Sequence, residues 1–113
     1  MWILIAGPYT AGGADAELRA ARLDDMNAAA VEVFRRGHVP IIGVNAALPM
    51  IDVAGQDSYD EIMMPLALQL ADRCDAVLRI GEPSAGADEE MQRVADRGKP
   101  VYRSIADIPD AGA

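Results

Sequence analysis

Two short apolar runs, Trp2–Ala6 and residues 76–80, each followed at once by a glycine, constrain this chain most. A strand that is apolar at nearly every position, and not at every second one, is buried on both faces, as strands of helix-flanked parallel sheets are. The intervening segments are too long for hairpins and carry helical patterns. Residues 14–36 read as one helix with Leu23, Met26, Ala30, Val33 and Phe34 on its apolar stripe and Gly37 as its C-cap. Residues 38–42 give a second strand, with Pro40 placed where no ladder N–H is needed. Residues 43–56 show no clear period and are expected to form a long loop. A capping-box pattern, Ser58 to Glu61, opens the next helix, whose stripe is Ile62, Leu66 and Leu70 and which Pro65 should kink. The third strand, 76–80, leads to a third helix that stops at Gly98. A fourth strand, 99–103, precedes a short turn at 105–109 and a fraying tail.

The order β-α-β-α-β-α-β predicts a single-domain α/β fold over 1–113. It is an open parallel sheet of four or five strands with three main helices on both faces, Rossmann- or flavodoxin-like. The net charge of -8 argues against nucleic-acid polymers and anionic membranes as partners, so an anionic ligand must be held locally by backbone N–H groups. One cysteine, Cys74, excludes an internal disulfide framework and reads as a small buried thiol. One histidine, His38, beside a strand start, reads as structural. A single His and a single Cys predict no metal site, and nothing calls for a cofactor. The apolar start is too short for a signal peptide or membrane span, which predicts a cytoplasmic protein.

The chemistry concentrates at 80–91, where a Pro-Ser-x-Gly turn joins strand to helix. Such a junction offers free N–H groups and the positive end of a helix dipole at the carboxyl edge of the sheet. Glu90 lies three residues after Ala87 and four before Val94, on their buried stripe, whereas Glu89 aligns with Arg93 and Asp96 on the wet face. The plain alternative is that these acidic residues only stabilise the first turn of a helix, by about 0.3 to 1 kcal/mol. The loop 7–13 is rich in small residues, which lets a ligand approach its backbone, with Tyr9 as a wall or lid. It is neither a P-loop nor a dinucleotide fingerprint. Asn45, Asp52 and Asp57 are the polar candidates of the 43–57 segment. Met63 and Met64 either fill the core or line an adaptable pocket.

Ala6-Gly-Pro-Tyr9, Gly37-His-Val-Pro40, Arg73-Cys-Asp-Ala-Val77, Ser84-x-Gly-Ala87 with Glu90, and Gly98-Lys-Pro-Val101 occur in that order. In this the chain resembles the nucleoside 2-deoxyribosyltransferase superfamily, and within it the small branch called DUF4406. The resemblance implies cleavage of an N-glycosidic bond in a nucleoside or nucleotide, by transfer or by hydrolysis. It implies Glu90 as the nucleophile, Tyr9 near the substrate, and Ser84 and Gly86 at a 5′-phosphate; Gly7, Pro8, Ala87 and, from the 43–57 segment, Asn45 are further candidate substrate-binding positions. It also implies a homo-oligomer whose sites are completed by a neighbouring subunit.

The sequence departs from that pattern at Ala67, where the superfamily usually has an aspartate that orients or protonates the base. Asp60, or Asp57, is the candidate to replace it from the other side of Pro65. Without an acid the base is a poor leaving group, so a nucleotide-binding protein that has lost turnover is the rival reading. A protein-association subunit, using the acidic surface and the methionine-rich helix, is a third.

Overall fold

A computed structural model describes residues 1–111. It is an α/β fold with one four-stranded sheet, all parallel, in the order β2-β1-β3-β4. The strands are β1 (Trp2–Ala6), β2 (Val39–Ile41), β3 (Ala76–Arg79) and β4 (Val101–Tyr102). Four α-helices connect and flank them: α1 (Ala16–Arg35), α2 (Gly43–Ala54), α3 (Tyr59–Arg73) and α4 (Ala85–Asp96). The two apolar runs are neighbouring parallel strands, with Ile3 opposite Ala76 and Ala6 opposite Arg79.

Both sheet faces are covered. Ile3, Ile5, Ala76 and Leu78 pack with Met26, Ala29 and Val33 of α1 and with apolar residues of α2. Leu4, Ala6 and Val77 point the other way, onto Ala71 of α3 and onto Ala87 and Val94 of α4. The alternation along β1 thus feeds two core layers, which is why every residue from Ile3 to Ala6 had to be apolar.

The segment expected to be a long loop is a helix, α2. Its buried residues Gly43, Val44, Ala47 and Ile51 recur at helical spacing, but Gly43, Pro49 and the lack of a capping side chain obscured it. Pro49 removes one backbone donor, and Pro65 does the same in α3. Both prolines are exposed, so water can satisfy the carbonyls they leave free, and neither ends its helix.

Other expectations shift by small amounts. The buried stripe of α3 is Met63, Ala67 and Ala71, one position on from the larger aliphatic residues. The small residues let α3 lie close to α2: a Cβ on Gly43 would stand 2.9 Å from the Cβ of Ala67. Ser58 makes no capping bond through its side chain, because a 3-10 turn, Gln56–Ser58, feeds directly into α3. Phe34 is 67% exposed and lies off the α1 stripe, which runs through Ala29 instead.

The tail does not fray up to Ala111. A 3-10 turn (Ile105–Asp107) places Ile108 in the core, Arg36 Nη1 donates to the Ile108 carbonyl at 2.9 Å, and the Ala111 amide donates to Arg36 O at 2.9 Å. The remaining two residues lie outside the described part. His38 is buried, with Nε2 2.6 Å from the Pro109 carbonyl oxygen, so its work is structural. Burial pushes the buried Cys74 thiol up to about 11, which leaves it a poor nucleophile. Among the described residues no helix is long and apolar enough to cross a membrane.

The Gly43–Ala67 contact gives a test of the packing. Gly43→Ala gains less than about 1 kcal/mol of helix propensity at a first-turn position, against about 1–3 kcal/mol for overpacking. A net loss is expected, read as a lower urea midpoint; an unchanged midpoint would mean that α2 and α3 separate freely.

Candidate active site

In the order β2-β1-β3-β4 the chain winds one way from β1 and the other way from β3, so the crevice between their carboxyl ends is the switch point where such sheets bind ligands. The loops leaving these two strands are locked together there. The Ile80 amide donates to the Ala6 carbonyl at 2.9 Å. A Cβ on Gly7 would meet Ile80 Cγ1 at 3.2 Å. Gly81, at φ 78°, lies so near Pro8 that a Cβ there would stand 2.8 Å from its ring. Pro8 is therefore a buried brace between the loops and does not line the cavity beside them. Arg22 of α1 holds the rest of the first loop, donating to the carbonyls of Tyr9 at 3.1 Å and Ala11 at 2.8 Å.

Beside this brace is a cavity of about 290 Å³, at the lower end of the range of roughly 300–1,000 Å³ for small-molecule sites. One wall is Gly7 and Tyr9, another is Tyr59, Asp60, Met63 and Met64 at the start of α3, and the third is Ser84–Ala87 with Glu90. Of the expected site residues, Gly7, Tyr9, Asp60, Ser84, Gly86, Ala87 and Glu90 come together there. Asn45 does not: on the solvent side of α2 its Nδ2 donates to Asn27 Oδ1 at 2.8 Å, while Asn27 Nδ2 donates to the Leu23 carbonyl. Asp57 is likewise outside the lining.

The third wall follows from its sequence. Ser84 is the N-cap of α4, and its hydroxyl oxygen accepts from the Ala87 amide at 3.3 Å. The amides of Ala85 and Gly86 are first-turn donators with no intrahelical partner, so they remain available. A Cβ on Gly86 would stand 3.3 Å from Met64 Sδ, so glycine keeps α4 close to α3. No lysine or arginine lines the cavity, so an anion there depends on these N–H groups.

Glu90 is the buried carboxylate, 9% exposed, on the stripe with Ala87 and Val94, while Glu89 is exposed. Its side chain has no hydrogen-bond partner among the described residues, and the cavity is what it faces. Burial raises its pKa from an ordinary 4.5 to about 7; the Arg79 charge opposes that rise and Glu89 adds to it. Tyr59 is also raised, chiefly by burial, with a hydrogen bond from the Thr10 side acting against it, so its phenol stays a proton donor. Sequence reasoning missed Tyr59, though an aromatic residue next to Asp60 was the available signal. It also missed Arg22 and Arg79, which no local pattern marks.

A larger cleft of about 630 Å³ lies on the other side of the turn, along Arg79, Pro83, Met91 and Arg103. Its carboxylate, Asp88, is already paired with Arg79 at 3.0 Å. The smaller cavity, which holds a carboxylate free to react, is the better candidate. No group of three or more His, Cys, Asp or Glu among the described residues is placed to hold a metal ion.

A family model described as Domain of unknown function (DUF1937) matches residues 2–105. The chain belongs to the DUF1937 family. The match runs from β1 to the turn after β4, so every wall of the cavity lies within the DUF1937 domain. No curated protein matches the chain.

The raised Glu90 pKa makes a signed prediction. Between about pH 4.5 and 7 the folded protein holds a proton on Glu90 that the unfolded chain has lost, so stability falls as pH rises through that window. Glu90→Gln removes this cost. The variant should match the wild type near pH 4 and exceed it by roughly 3 kcal/mol above pH 8. Denaturant melts at the two pH values measure this, and a difference that does not grow with pH would show Glu90 to be solvated.

Proposed function

We propose that this protein cleaves the N-glycosidic bond of a nucleoside or nucleotide, with Glu90 as nucleophile. The observation that carries the reading is the buried Glu90 carboxylate sharing one cavity with the Ser84–Ala87 helix start, Tyr9 and Asp60. The resemblance to the nucleoside 2-deoxyribosyltransferase superfamily supports the same assignment.

In this reading the Glu90 carboxylate attacks the anomeric carbon and the carbon–nitrogen bond breaks. The base leaves with the bonding pair and takes a proton, for which Asp60 and the Tyr59 phenol are the nearest candidates. Water, or a second base, then attacks the anomeric carbon of the glycosyl ester, the bond to Glu90 breaks, and the carboxylate is restored. Water gives the free sugar; a second base gives a new nucleoside. A 5′-phosphate would sit on the free amides of α4. Tyr9, Met63 and Met64 offer a face for the base.

A second reading, binding without turnover, draws on Ala67. That position is 1% exposed and packed against Gly43, so the acid of the superfamily pattern has neither the side chain nor the space here. Asp60 has to serve in its place for turnover.

Incubating the protein with nucleosides and nucleoside 5′-monophosphates, and separating free base by chromatography, tests both readings. Free base from the wild type, its loss in Glu90→Ala and its retention in Glu89→Ala are expected. Because the nucleophile acts as the carboxylate, the rate should climb as pH rises through about 7. Equal rates for the two variants would defeat the assignment, and thermal protection by a nucleotide without any free base would select binding alone.

A further inference from the structure

The buried charge that this chemistry leaves unused is Arg79, at the end of β3. Its side chain is 5% exposed. Its guanidinium donates to the Ile80 carbonyl, to the Glu82 carbonyl at 2.9 Å and, through Nε, to Asp88 Oδ1 at 3.0 Å. These acceptors belong to the strand end, the turn and the first turn of α4. One planar fork thus ties together the segment that carries Ser84 and leads to Glu90.

Asp88 is 53% exposed, so water competes for it and Arg79 is only partly neutralised. The titratable groups that share the cavity with Glu90 are Tyr9 from the first loop and Tyr59 and Asp60 from α3, and Glu89, exposed beside it on α4, adds a negative charge. None of these is cationic. Arg79 is the cation that acts on Glu90 among the described residues.

We propose that Arg79 is a positioning residue for Glu90: its fork holds the 80–88 turn so that Glu90 enters the cavity, and Asp88, by sharing the guanidinium, sets how much positive charge Glu90 feels. This rests on Glu90 being the reacting carboxylate.

The test is a carbon-13 NMR titration of the Glu90 carboxyl in the free protein, for wild type, Arg79→Met, Asp88→Asn and the double variant. Arg79→Met should raise the Glu90 midpoint by about one pH unit or more, as loss of a neighbouring opposite charge does. Asp88→Asn should lower it. In the Arg79→Met background the Asp88→Asn effect should vanish, because it acts through the guanidinium. An unchanged midpoint in Arg79→Met, or an Asp88→Asn effect of equal size in both backgrounds, overturns the proposal. If Arg79→Met does not fold, Arg79→Lys keeps the charge but loses the fork. It should hold the midpoint near the wild type while the hydrogen-bonded amides of Ile80, Ala87 and Asp88 lose exchange protection; retained protection rejects the positioning role. The titration needs no substrate. Its failure rejects the role of Arg79, whereas the expected titration with no free base in any assay rejects only the glycosidic reading.

Discussion

The pairing of β1 with β3 is the constraint on which the rest of this structure depends. It sets Ala6 opposite Arg79, and so brings the loop after β1 and the turn after β3 to the same point on the sheet edge. Two glycines then let the loops touch, Gly7 against Ile80 and Gly81 against Pro8. Any side chain at Gly81 meets both an unfavourable backbone angle and the proline ring. The crevice is therefore shaped by contacts that involve none of Tyr9, Ser84 and Glu90. Tyr9, Ser84 and Glu90 extend from this braced junction into the cavity.

Electrostatics at the site follow the acidic charge of the molecule as a whole. The chain carries a net charge of -8, and the cavity wall holds two carboxylates, Asp60 and Glu90, and no basic side chain. Desolvation of Glu90 outweighs the attraction of Arg79, which is why its ionisation moves up into the neutral range. Such a carboxylate is held ready to change its protonation near pH 7, and its placement in a cleft marks it as a functional candidate. The same desolvation lowers stability above neutral pH, a cost that an uncharged side chain at this position would not bring.

Helix α2 changes what α3 can offer. Because Gly43 brings α2 against Ala67, the middle of α3 is committed to packing and only its first turns reach the cavity. Polar function on α3 is thus confined to Tyr59 and Asp60, with Met63 and Met64 as apolar wall. Packing against Gly43 leaves no room for a larger side chain at Ala67, so the acidic group that α3 brings to the cavity is Asp60 in its first turn.

The sequence by itself determined the parallel sheet, its flanking helices and the inward direction of Glu90. Apolar runs buried on two faces and a 3.6-residue period are local signals, and Ala87, Glu90 and Val94 share a stripe whatever surrounds them. It did not determine α2, whose Gly43 and Pro49 suggest a loop until burial of Val44, Ala47 and Ile51 supplies the stabilisation that propensity lacks. Nor did it place Asn45, which looked like a ligand residue and is tied to Asn27 on the outer side of α2. Phe34 was misplaced because its neighbours on α1 were equally apolar, and only the position of the sheet decides which side is core. Arg79 and Arg22 stayed invisible for a related reason. Their roles depend on carbonyls and carboxylates contributed by other elements, and such partners exist only once the chain has closed on itself.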